Sequence, residues 1–118
     1  ALHARAAGRQ AGKLRAVARA LYKRPPNVSE IARWGLKLSD FQEPPVEIWP
    51  EHLAVVRIFV RLDTQWRVGM SGPIGLDYNA AYPLIDRATT TPEDWSDMLD
   101  DLRVLEAEAL DVMRESND

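Results

Sequence analysis

Gly69, Gly72 and Gly75 punctuate "TQWRVGMSGPIGLDY", residues 64–78, the one stretch whose residue types raise phosphate chemistry. A glycine-rich loop cradles phosphate when it follows a strand and opens a helix, because its backbone amides then converge on the anion. The spacing here is G-x-x-G-x-x-G, which is neither the dinucleotide fingerprint nor the phosphate loop with its Gly-Lys-Ser/Thr ending. An apolar helix is predicted before the loop, and the next charge, Asp77, repels phosphate. The stretch therefore reads as a tight connector. Gly69 is expected to take the left-handed conformation that caps a helix ending after Trp66. Ser71-Gly72-Pro73 and Ile74-Gly75 supply turns, and Leu76, Tyr78 and Tyr82 are expected to cover Trp66. Asp77 or Asn79 would cap a short following helix.

Other reactive types are sparse. His3 and His52 lack the ligand-spaced companions that a metal site needs, and His52 reads as a surface position on a helix. The acids of 93–118 lack the glycine-bearing loop of an EF-hand and are expected on a solvated helix face. The serines have no histidine in a nucleophile arrangement. With zero cysteines, disulfide and thiolate chemistry are absent. The expectation is a non-enzymatic protein with no catalytic residue, no metal and no cofactor.

The elements that carry these residues read as helices separated by prolines. Residues 2–23 are rich in Ala, Leu, Arg and Lys, with Leu14, Val17, Ala18 and Leu21 on one face. Pro25-Pro26 ends that basic helix. "NVSEIARWGLKL" predicts a short second helix with Ser29 as N-cap and Ile31, Trp34 and Leu38 buried. Pro50 fits the first position of a third helix, where its missing amide costs nothing. Leu53, Val56, Phe59, Leu62 and Trp66 run along one side of it, with Val55 and Ile58 widening the stripe. A strand competes for "AVVRIFVRL", but the stripe through Trp66 is too long for one. After a short helix near 79–87, Thr91, Pro92 and Asp94 open the last helix as a capping box. Trp95, Met98, Leu102, Leu105, Ala109 and Val112 mark its buried face.

The expected fold class is all-α: a small helical domain with two long antiparallel helices, about 50–67 and 92–115, a Gly/Pro-rich connecting loop and a basic N-terminal helix. Residues 1–40 form a basic helical arm plus the short helix, and 41–118 the main helical domain. At 118 residues, 46% of them hydrophobic, one core is sustainable. No apolar run approaches the ~20 residues of a membrane span. Ala1 stands where methionine is usual, which fits a trimmed or processed chain or a piece of a longer product.

Charge is polarised along the chain. Residues 1–37 hold nine Lys/Arg against Glu30, a balance of +8, and the remainder holds six against seventeen acids, −11. Such polarity favours charged partners or brings the two ends of the chain together. Arg5, Arg9, Lys13, Arg15, Arg19 and Lys23 are the candidate partner-binding residues. The arm, roughly residues 1–24, buries mostly alanine before Leu14, so it is expected to serve binding more than stability.

The run "WPEHLAVVRIFVRLDTQWRVGMSGPIGLDYNAAYPLID", with "DMLDDLRVLEAEALDVM" after it, resembles a family of short phage-related proteins over about residues 49–113. The motif is Thr64-Gln65-Trp66-Arg67 followed by Gly75-Leu76-Asp77-Tyr78, between a Trp-Pro opening and an acidic helix. Relatives are encoded among the tail genes of long-tailed phages, near tail assembly chaperones. The resemblance implies phage tail morphogenesis in the bacterial host cytoplasm, with chaperone-like binding of a tape-measure or tail-tube protein. Another tail assembly chaperone or a second copy of the chain are further partners it admits. The motif residues are expected to be structural. The alternative is a small nucleic-acid-binding or regulatory protein using the basic helix, since cations neutralise phosphates. The net charge of −3 and the lack of a helix-turn-helix reading element weigh against it.

Overall fold

A computed structural model describes residues 7–23, 28–37 and 46–116. Its elements are α1 (Ala7–Tyr22), α2 (Val28–Arg33), a single 3-10 turn (Pro50–His52), α3 (Leu53–Arg61), β1 (Trp66–Gly69), β2 (Gly72–Leu76), α4 (Tyr78–Ala88) and α5 (Pro92–Ser116). The boundary drawn between residues 40 and 41 falls in 38–45, outside the described residues.

Helix α5 is the spine. Its 25 residues run about 37 Å at 1.5 Å per residue. The Thr91 hydroxyl accepts the Asp94 amide at 3.1 Å, satisfying one of the four free N–H groups at the helix start. Leu102, Leu105, Ala109 and Val112 are buried on the predicted face. Helix α1 lies against α5 and contributes Leu14, Val17 and Ala18 to the same core. Helix α3 adds Val55, Val56, Ile58 and Phe59, with Leu62 just beyond its end. The core is thus closed by α1, α3, α4 and α5, and the basic helix is part of it.

The all-α expectation is wrong: five α-helices accompany a two-stranded antiparallel sheet among the described residues, and α3 has nine residues rather than eighteen. Pro50 opens the 3-10 turn, and α3 stops at Arg61. Asp63 and Thr64, poor helix formers, then make a turn in which Gln65 N–H donates to the Leu62 carbonyl at 2.9 Å. Trp66 continues the helical spacing only by coincidence, because it begins β1. The strands pair Trp66 with Leu76, Arg67 with Gly75, Val68 with Pro73 and Gly69 with Gly72. Ile74 is the extra residue of a bulge, which also lets Pro73 sit in the sheet. Met70-Ser71 is the two-residue hairpin loop, and the left-handed conformation falls on Gly72 (φ 110°), not on Gly69.

Two smaller expectations also change. Helix α2 starts at Val28, so Ser29 lies in its first turn rather than capping it. Trp34, expected inside, is 76% exposed in the turn that follows α2, and Leu38 lies outside the described residues.

Candidate functional site

The motif residues converge on the hairpin and its base. Gln65 accepts the Asp77 amide through its carbonyl at 2.9 Å, which closes the hairpin below the Trp66–Leu76 pair. Asp77 then caps α4 by accepting the Asn79 amide at 2.9 Å, the choice between Asp77 and Asn79 that the sequence leaves open. The indole N–H of Trp66 donates to the Tyr22 hydroxyl at 3.0 Å, and its ring meets Tyr22 and Phe59 edge-on. Trp66 is half-buried, and its cover comes from α1 and α3. Tyr78 and Tyr82 instead form an aromatic row with Trp95, whose indole donates to Asp86 at 2.7 Å. Thr64 and Arg67 are exposed.

Glu106 of α5 holds the other side of the hairpin. One carboxylate oxygen accepts the Leu76 amide at 2.7 Å and the other accepts the Tyr78 phenol at 2.8 Å. Gly75 permits the approach: a Cβ there would stand 3.3 Å from Glu106 Oε2 and 3.4 Å from Arg67 Nη2. The Tyr78 phenol is pushed well above the ordinary tyrosine pKa, first by burial and then by this hydrogen bond. Glu106 therefore departs from the solvated face expected for the acids of α5. A signal existed, since Glu106 stands four residues after Leu102 and four before Leu110, at the edge of the apolar face. Asp101 is buried, and the Glu108 side chain nearly so.

The candidate basic residues divide. Arg5 lies outside the described residues, and Arg9 is placed only as part of the α1 backbone. Arg19 is engaged with α5: its guanidinium meets Glu108 at 2.7 Å and Glu115 at 3.0 Å. Hydrogen bonds to Glu115 and Glu108 raise its pKa further. Lys13 Nζ sits 5.7 Å from the Trp49 ring centroid, a cation–π distance. Arg15 and Lys23 are exposed.

A surface not visible in the sequence lies between α3 and α4. It is a groove of about 650 Å³ whose lining includes Ile48, Leu53, Val56, Val60 and Leu84. Arg57, Arg61 and Arg87 also line it, and among the described residues no carboxylate does. Val56 and Ile58 form its buried floor, while Leu53 and Val60 are 40% and 48% exposed. A concave, mostly apolar site with a few placed charges is the usual form of a binding site. Among the described residues no three His, Asp or Glu side chains gather as a metal site, and no helix is long and apolar enough to cross a membrane.

Residues 34–113 match a family described as phage related hypothetical protein (DUF1799). The match begins at Trp34, ahead of the Trp49 at which the motif resemblance starts, and takes in the hairpin, the groove and most of α5. No curated protein and no solved structure matches the chain.

Proposed function

The chain belongs to this phage-related family, and we propose that it acts without chemistry in phage tail morphogenesis, holding an apolar helix of a tail protein until assembly. The observation that carries the proposal is the α3/α4 groove, where Leu53 and Val60 stay exposed above a closed core. An amphipathic helix laid in such a groove buries its apolar face on both partners, and affinity then comes from area removed from water. On this reading the bound segment of a tape-measure or tail-tube protein is such a helix, and covering its apolar face before assembly prevents self-association. The place of action on this reading is the host cytoplasm, where tails are built. The nucleic-acid alternative loses one of its cations, because Arg19 is already neutralised by Glu108 and Glu115.

The test is co-expression with the tape-measure and tail-tube proteins of the same phage or prophage. A stable complex with either, and less aggregation of that protein, supports the proposal. Failure to bind any tail protein, together with salt-sensitive retention on DNA, sinks it.

A further inference from the structure

We propose that the groove between α3 and α4 takes an acidic amphipathic helix, with apolar side chains on Leu53 and Val60 and carboxylates on Arg57, Arg61 and Arg87. The inference rests on the tail-protein reading above and names the chemistry of the partner segment.

Spacing and charge carry it. Leu53 and Val60 are seven residues apart on α3, two turns or about 10 Å, which matches the i and i+7 anchors of a helix docked alongside. The groove has room for a row of aliphatic side chains but not for a helix of about 10 Å diameter, so only an apolar stripe enters. Arg57 and Arg61 stand one turn apart on α3, and Arg87 belongs to α4. Cations from both helices therefore meet the flanks of the inserted stripe. Among the described residues, none of the three side chains forms an ion pair or a hydrogen bond.

Their concentration is what selects an acidic partner. Residues 38–118 carry six basic side chains, Arg57, Arg61, Arg67, Arg87, Arg103 and Arg114, against seventeen acids. Half of those cations line this one groove, and among the described residues no acid does. A phosphate backbone would satisfy the arginines yet leave Leu53 and Val60 in water. A lipid surface is flat and does not fill a concave floor. An acidic helix satisfies both features.

The test uses the full chain and three labelled helical peptides with leucines at i, i+3 and i+7. The flanking positions carry glutamate, glutamine or lysine. The glutamate peptide is expected to bind roughly tenfold more tightly than the glutamine peptide, the size of three exposed ion pairs. That advantage shrinks as salt rises, and the lysine peptide binds weakest. Amide shifts on the unmodified chain should map to α3 and α4, which decides the site even if a variant fails to fold. Arg57→Glu combined with Arg61→Glu should transfer the preference to the lysine peptide. Equal binding of all three peptides, shifts elsewhere, or preferential protection of the groove by anionic vesicles or DNA overturns the proposal. So does a concentration-dependent dimer whose interface maps to α3 and α4. Tail-protein capture that survives the double reversal also overturns it and leaves the functional reading standing. Glutamate-peptide binding at α3/α4 without capture of any tail protein does the opposite.

Discussion

Glu106 accepts the backbone N–H of Leu76 at 2.7 Å, so the last residue of the hairpin is held by a side chain thirty residues away on α5. Leu76 is fully buried. Its amide has no water to turn to, which makes the acceptor necessary rather than decorative. The same carboxylate takes the Tyr78 phenol, so hairpin and α4 are fixed to the spine by one residue.

Glu106→Ala is expected to cost about 1–3 kcal/mol, the penalty for a buried donor left unmade. Glu106→Gln should cost less. Its amide oxygen still accepts from Leu76, and its NH₂ can donate to a phenol that reverses its role. Urea unfolding of both variants checks the ranking, and equal losses would place the stabilisation in the charge rather than in the acceptor.

Alkaline pH should loosen the same junction. Both Tyr22 and Tyr78 have pKa values raised above the ordinary value near 10, in each case first by burial. A phenol whose folded pKa exceeds its unfolded one stabilises the fold while protonated. That contribution is complete below about pH 10 and is lost as pH rises through the folded value. The melting temperature should therefore fall above pH 10, and Tyr78→Phe should fall less steeply. Parallel curves for the two proteins would show that Tyr78 titrates alike in both states.

Trp66 tests how the hairpin meets the core. Trp66→Ala should cost about 3 kcal/mol, the lower end for large core truncations, because the ring is half-buried. Trp66→Phe keeps an edge against Tyr22 and Phe59 but loses the 3.0 Å bond to the Tyr22 hydroxyl, for about 1 kcal/mol. An unchanged transition in the alanine variant would detach the hairpin from the stability of the domain.

These residues also mark what the sequence discloses. The stripes of α1, α3 and α5 and the caps at Asp77 and Thr91 are local, so periodicity and residue type reveal them. The hairpin is not local. Its strands have four and five residues, and β2 reads Gly-Pro-Ile-Gly-Leu, which alternates nothing. What holds it is Glu106 from α5 and Tyr22 from α1, contacts across 30 and 44 residues. The groove is hidden for the same reason, since Leu84 and Arg87 face α3 only after α4 folds back on the capped Asp77.

Helix α1 was expected to serve binding more than stability, but Leu14 is 1% exposed and packed in the shared core. Leu14→Ala should cost about 2–5 kcal/mol. Arg19→Ala should cost under about 1 kcal/mol, because its pairs with Glu108 and Glu115 are partly open to solvent. Apolar burial, not the ion pairs, then holds α1 on α5. Thermal melts of the two variants in low and high salt check this, and a larger loss for Arg19→Ala would reverse it.

His52 was expected on the surface, yet it is 1% exposed and its ring lies parallel to Trp49, 5.7 Å between centroids. Among the described residues, neither Nδ1 nor Nε2 has a hydrogen-bond partner. A buried polar group without one costs about 1–3 kcal/mol on protein mutational scales. His52→Phe keeps a flat ring against Trp49 and removes both nitrogens, so it is expected to raise stability by about 1 kcal/mol, part of the gain being offset by the larger ring. His52→Ala removes the ring and leaves a cavity, so it should lower stability by about 2 kcal/mol. Urea midpoints at constant slope separate the two. A loss in the phenylalanine variant matching that of alanine would mean the imidazole nitrogens, not the ring's bulk, are what the site needs.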